Sequence, residues 1–209
     1  MSSRNNPDNK LNLLLDQAIN FHMQGKLDLA EANYKKLINY LPNNTILLSN
    51  LGAIALQKGD LQYGLELTER SLKIDKNQPN ALNNYGVMLQ KLSRTNEALK
   101  IYNLAIEAQP DNAEAYANKG NALSELKNFQ EAQLSYDLAI YYRPNYAKAH
   151  FNKGKSLKEC GELKKAISSF DLAVEFNPNI EYISGEILHL KMLLCLWNNF
   201  SKSQKELKN

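Results

Sequence analysis

Four asparagines, Asn50, Asn84, Asn118 and Asn152, stand 34 residues apart, each inside a near-copy of one segment. That period restricts the chain more than its length or composition does, because it describes one helix–turn–helix unit used repeatedly. A lone helical hairpin cannot bury its own apolar face, so each copy must be covered by the next. The expectation is an all-α stack of five hairpins at 11–44, 45–78, 79–112, 113–146 and 147–180. Residues 1–10 read as a polar, mobile tail without the apolar core of a signal peptide, and 181–209 as a capping segment.

The blocks keep their phase at several places. Four of the five end on proline (Pro42, Pro110, Pro144 and Pro178), with Lys76 as the exception and Pro79 opening the next helix instead. Position 8 is small in every block (Ala18, Gly52, Gly86, Gly120, Gly154), as is position 20 (Ala30, Gly64, Ala98, Ala132, Ala166). Glycine inside a helix costs up to ~1 kcal/mol against alanine, so its recurrence signals close approach, here expected between positions 8 and 20. Position 24 is large in four blocks (Tyr34, Tyr102, Tyr136, Phe170) and Thr68 in the second, and is expected to fill the gap between neighbouring hairpins. Gly25, Gly59 and Gly161, with Ser93 and Lys127 in the same place, mark left-handed turns between the paired helices.

Small-8, alanine-20, aromatic-24 and proline-32 in a 34-residue frame resembles the tetratricopeptide repeat, over residues 11–180. The resemblance implies a right-handed α-solenoid whose first helices line a concave groove. Leu14, Leu48, Leu82, Tyr116 and His150 stand where that family often has tryptophan. The segment after the repeats, with Cys195, Trp197 and Phe200, is similar to the junction that follows the repeats in O-linked N-acetylglucosamine transferases, although Leu196 replaces the aspartate of their Cys-Asp-Trp motif. That resemblance implies no catalytic residue within these 209 positions.

At position 6 the four asparagines, with Asp16 in the first block, are expected to form a ladder on the inner wall. Packed helices lie ~8–10 Å apart and an extended peptide advances ~3.3 Å per residue, so one rung would meet such a peptide about every third residue. A carboxamide matches the donor and acceptor of a peptide unit, and comparable rungs hold acceptor proteins in the transferases. Flanking positions add Asn83 and Asn121, and the fifth repeat adds Lys148, Lys155 and Lys158, giving a basic end expected to favour an acidic ligand segment. Leu15 and Ile19 stand where the family's chaperone-tail clamp needs lysine and asparagine, so that clamp is not expected.

Other chemistry finds little support. His22, His150 and His189 are scattered over different units, and no nucleophile–histidine pattern or phosphate loop occurs, so the chain reads as no enzyme, with no metal and no cofactor. A net charge of +3 is too small to indicate nucleic acid or an anionic membrane, and no apolar run is long enough to span a bilayer. Cys160 and Cys195 lack metal spacing, consistent with a reducing cytoplasm. The leading expectation is a scaffold for extended peptide segments. The alternative is the substrate-recruiting arm of a transferase. A third reading is weak self-association through the terminal helices.

Overall fold

A computed structural model describes residues 7–180 and 183–194. Among the described residues all regular structure is helical, and the chain divides into two compact units, 1–109 and 110–209. Unit 1 contains α1 (Pro7–Met23), α2 (Leu27–Tyr40), α3 (Thr45–Lys58), α4 (Leu61–Ile74), α5 (Pro79–Lys91) and α6 (Thr95–Ala108). Unit 2 contains α7 (Ala113–Glu125), α8 (Phe129–Tyr142), α9 (Ala147–Glu159), α10 (Leu163–Phe176) and α11 (Ile183–Leu193). The hairpins are α1–α2, α3–α4 and α5–α6 in unit 1, and α7–α8 and α9–α10 in unit 2. Within each unit a second helix also packs on the first helix of the following hairpin, as the stacked tetratricopeptide fold requires. α1 begins at Pro7, four residues inside the stretch read as a tail, because proline is well placed at the first position of a helix. The junction residues Cys195, Trp197 and Phe200 lie outside the described residues.

Local chemistry explains the punctuation. Every second helix runs for 14 residues over positions 17–30, stopping two residues before position 32. The turn before each second helix takes a left-handed backbone at Gly25, Gly59 and Gly161, and also at Ser93 (φ 60°) and Lys127 (φ 62°), where a Cβ makes that conformation costly. Asn44 and Asn112 cap α3 and α7, their side-chain oxygens accepting from Leu47 N (3.1 Å) and Ala115 N (3.0 Å).

The packing departs from the sequence expectation in one respect. In the third to fifth repeats the space at position 8 is taken by the aromatic ring of the same hairpin, not by position 20. A Cβ added to Gly86, Gly120 or Gly154 would lie 2.5 Å, 2.6 Å and 2.6 Å from the rings of Tyr102, Tyr136 and Phe170. Removing the Cβ leaves a flat shelf on the first helix, and the planar ring of the second slides onto it. The rings are 0–1% exposed. In the second repeat Thr68 takes this place, and Met88 of α5 supplies bulk against Gly64, its sulfur 2.6 Å from where a Cβ would stand. In unit 2, α11 lays Ile183, Ile187 and Leu190 on the core around Phe170, three residues on one helical face.

Candidate functional site

In unit 2 a cleft of about 390 Å³ opens between the first helices α7 and α9, with Tyr136 of α8 at its base. The polar arrangement there starts from a buried ring. Tyr136 is 1% exposed, yet its hydroxyl emerges at the cleft and donates to Asn121 Oδ1 at 2.9 Å. Ser124 Oγ lies 3.3 Å from the same hydroxyl. Burial pushes the phenol up to about 12, so it remains a donor. Asn152, one repeat further on, donates its amide to the same Asn121 oxygen at 2.7 Å. One carboxamide oxygen thus accepts from two helices at once, which holds Asn121 and Asn152 in fixed rotamers on opposite walls. Glu125, Lys155 and Glu159 complete the charged lining.

Unit 1 carries its own cleft, about 410 Å³, between α1 and α3. Its six lining residues are Ile19, His22, Met23, Tyr34, Asn50 and Gln57. Each stands 102 residues, or three repeats, before a residue that lines the unit 2 cleft: Asn121, Ser124, Glu125, Tyr136, Asn152 and Glu159. The same register positions therefore build a cleft in both units. The tyrosine–asparagine link recurs too, with Asn50 donating to the Tyr34 hydroxyl at 3.3 Å. The linings differ in character, since unit 1 presents Ile19 and Met23 where unit 2 presents Asn121 and Glu125.

His22 gives the unit 1 cleft a pH dependence. Its ring meets Tyr34 edge-on, with centroids 6.3 Å apart, and its Nε2 lies 3.3 Å from the Gln57 amide nitrogen, a geometry in which the amide donates to a neutral imidazole. Burial lowers its proton affinity below the ordinary value of 6.5. As pH falls below 6.5, the unfolded chain takes up a proton that the folded chain resists, so stability present above that pH is lost as pH falls through the folded value. A series of urea midpoints from pH 8 to pH 5 is expected to decline on the acid side, and His22→Gln is expected to flatten that decline. Parallel curves for the two proteins would show that His22 contributes nothing to it.

Among the residues singled out from sequence, Asn121, Asn152 and Lys155 meet in the unit 2 cleft, and Asn50 lines the unit 1 cleft. Asn84 is half-buried on α5, whereas Asn118 on α7 is buried at 9% exposed rather than facing solvent. Asn83 is buried at 4% because position 5 turns toward the core. Asp16 and Lys148 are exposed on α1 and α9. Lys158 turns to α11 and pairs with Glu186 at 2.5 Å, and the Lys155 amine lies over the Phe151 ring, 5.8 Å from its centroid. Of the basic end expected from sequence, Lys158 is drawn into an ion pair, while Lys155 lines the cleft and Lys148 is exposed. Missing from the sequence reading were the tyrosine hydroxyls and position 13, which brings Met23, Gln57, Glu125 and Glu159 to the clefts. Position 13 lies four residues beyond position 9 and so shares its helical face, which was the available signal.

Among the described residues no helix is long and apolar enough to cross a membrane. Tetratricopeptide-repeat models match residues 79–112 and 147–180, and another match, in a different phase, covers 101–134. The chain therefore contains tetratricopeptide repeats. No curated protein sequence matches it. Among solved structures it is similar to PilF of Pseudomonas aeruginosa, with 16% identity, 96% of this chain and 91% of that one covered, and a TM-score of 0.84. It also resembles MamA of Desulfovibrio magneticus RS-1 (21% identity, 82% and 97% covered, TM-score 0.70). A third is YrrB, described as a TPR protein with an unusual peptide-binding site (21% identity, 86% and 90% covered, TM-score 0.65). At these identities the likeness concerns the fold.

Proposed function

We propose that the chain is a non-catalytic interaction module that binds extended peptide segments through carboxamides on its first helices. The position-6 asparagines Asn50, Asn84 and Asn152 act as rungs, joined by Asn121, whereas the buried Asn118 is set apart from them. The observation that carries this reading is the recurrence, in each unit, of a cleft built from the same register positions, with a rung bonded to the tyrosine hydroxyl directly in unit 1 and through Asn121 in unit 2. A side chain held in one rotamer loses less entropy when a ligand binds, which raises affinity without new contacts. Using one N–H of Asn152 for Asn121 leaves its second N–H and its oxygen available by capacity to one peptide unit. The similar fold of YrrB, described as having an unusual peptide-binding site, supports the same reading.

Each carboxamide bond contributes ~0.5–1.5 kcal/mol net, so removing several is expected to weaken binding by at least about tenfold. The experiment compares the wild-type chain with a variant carrying Asn50→Ala, Asn121→Ala and Asn152→Ala against a pool of random twelve-residue peptides. Alanine is the better helix former, so the helical signal of the variant should be kept. Equal peptide retention by the two proteins would refute carboxamide recognition.

A further inference from the structure

We propose that the chain associates with a second copy of itself, the exposed Tyr141 of one copy entering an apolar groove in unit 1 of the other. The groove is the space of a missing side chain. The second helices end on Tyr40, Ile74, Ala108, Tyr142 and Phe176, large in every hairpin but the third. In unit 2 these terminal rings meet position 4 of their own hairpin: Tyr142 stacks on Tyr116 with centroids 5.6 Å apart, and Phe176 lies 5.4 Å from His150. The third repeat has Leu82 and Ala108 at those two positions, and there a groove of about 490 Å³ opens, walled by Leu72, Leu82, Ile101 and Leu104. The fourth and fifth repeats fill this register with a ring, so what the third lacks is an aromatic side chain. None of these residues lines either cleft described above, and the proposal stands apart from carboxamide recognition.

Unit 2 carries a projection that matches. α8 exposes Leu134 (65%), Leu138 (43%) and Tyr141 (75%), spaced i, i+4 and i+7 on one helical face. A contiguous exposed apolar stripe marks an interaction surface. At the same register positions α4 has Glu66, Arg70 and Lys73, and α10 has Ser168, Leu172 and Glu175, so the fold itself does not call for the stripe. Tyr141 meets Tyr142 edge-on with centroids 5.1 Å apart, which limits its freedom before any partner arrives. Charge also suits the pairing. The groove's charged lining residues, Lys76 and Glu107, are exposed and have no ion-pair partner among the described residues. Arg143, two residues beyond Tyr141, is exposed with its guanidinium 4.6 Å from the centre of the Tyr146 ring, a contact that leaves its positive charge for Glu107. The Tyr141 hydroxyl can accept from the Lys76 ammonium. Three side chains in one groove bury less than the ~1,200–2,000 Å² of stable interfaces, so the contact is weak. It joins two different surfaces, leaving one groove and one stripe unused in every pair, so association continues past the dimer.

Sedimentation equilibrium of the full chain tests this. The wild-type weight-average mass is expected at the monomer value near about 10 μM and at about one and a half times that value or more near about 1 mM. Ala108→Phe closes the groove from within, as Phe176 does in the fifth repeat, and should melt at or above the wild-type temperature because its ring fills open space. Tyr141→Ser removes the projection at an exposed site. Each variant alone should stay monomeric over the whole range, with the helical circular dichroism of the wild type. Because each keeps one half of the contact, an equimolar mixture of the two should form a one-to-one dimer and go no further. A wild-type chain that is monomeric throughout, association that survives either substitution, or a mixture that remains monomeric would overturn the proposal. So would a monomeric wild-type chain whose groove takes up a tyrosine-bearing peptide, which would assign the groove to another protein.

Discussion

Replacing Tyr136 by alanine is expected to destabilise unit 2 by about 3–5 kcal/mol, the range for truncating a large buried ring. The ring is 1% exposed and lies against the open shelf of Gly120, so its removal leaves a cavity that rigid helices on both sides cannot close. Tyr136→Phe separates the two roles of this residue. It keeps the ring, as Phe170 does at the same position of the fifth repeat, and should cost only about 1 kcal/mol for the lost hydroxyl bond to Asn121. Urea denaturation followed by circular dichroism reads both variants. A loss below about 0.5 kcal/mol for Tyr136→Ala, the range of an ordinary surface substitution, would contradict burial of the ring against Gly120.

Gly120→Ala sets two effects of opposite sign against each other. Helix propensity alone favours alanine by up to ~1 kcal/mol. Packing opposes it, because the new Cβ would stand 2.6 Å, 2.8 Å and 2.9 Å from three atoms of the Tyr136 ring. Overpacking of a filled core typically costs about 1–3 kcal/mol, and a buried ring whose hydroxyl is bonded to Asn121 has little room to step aside, so packing wins and a net loss of about 1–2 kcal/mol is expected. At Gly52 the nearest atom is the Thr68 hydroxyl at 2.4 Å, a small group on a rotatable side chain, and Gly52→Ala should be the milder change. Pairing Gly120→Ala with Tyr136→Leu should recover part of the loss, since the two positions share one space. A stability gain for Gly120→Ala by itself would mean that the ring does not occupy that shelf.

The regularities legible in the sequence were those with local causes. Pro42, Pro110, Pro144 and Pro178 stop their helices, glycine at position 15 turns the chain, and Pro79 starts α5, all through backbone sterics acting within a few residues. The importance of position 8 was also legible, because a repeated glycine in a helix calls for a packing reason. Its partner was not, since positions 20 and 24 both face the first helix and only the docked geometry distinguishes them. Lys158 illustrates the same limit. Its place on α9 suggested a groove lysine, but its charge goes to Glu186, on a helix that continues no repeat pattern.

The amino-acid sequence by itself determined that this chain forms stacked helical hairpins, where the chain turns between paired helices, and which residues share a face. Those properties follow from the 3.6-residue helix period and from short-range backbone preferences. Tertiary structure alone decided that Asn121 and Asn152, 31 residues apart, meet over one tyrosine hydroxyl, and that Glu125 and Glu159 line the same cleft. The physical reason is that a helical face is fixed along its own axis. The axial offset at which two helices dock depends on the ring and glycine packed between them, and that offset selects which residues of the two faces stand opposite each other.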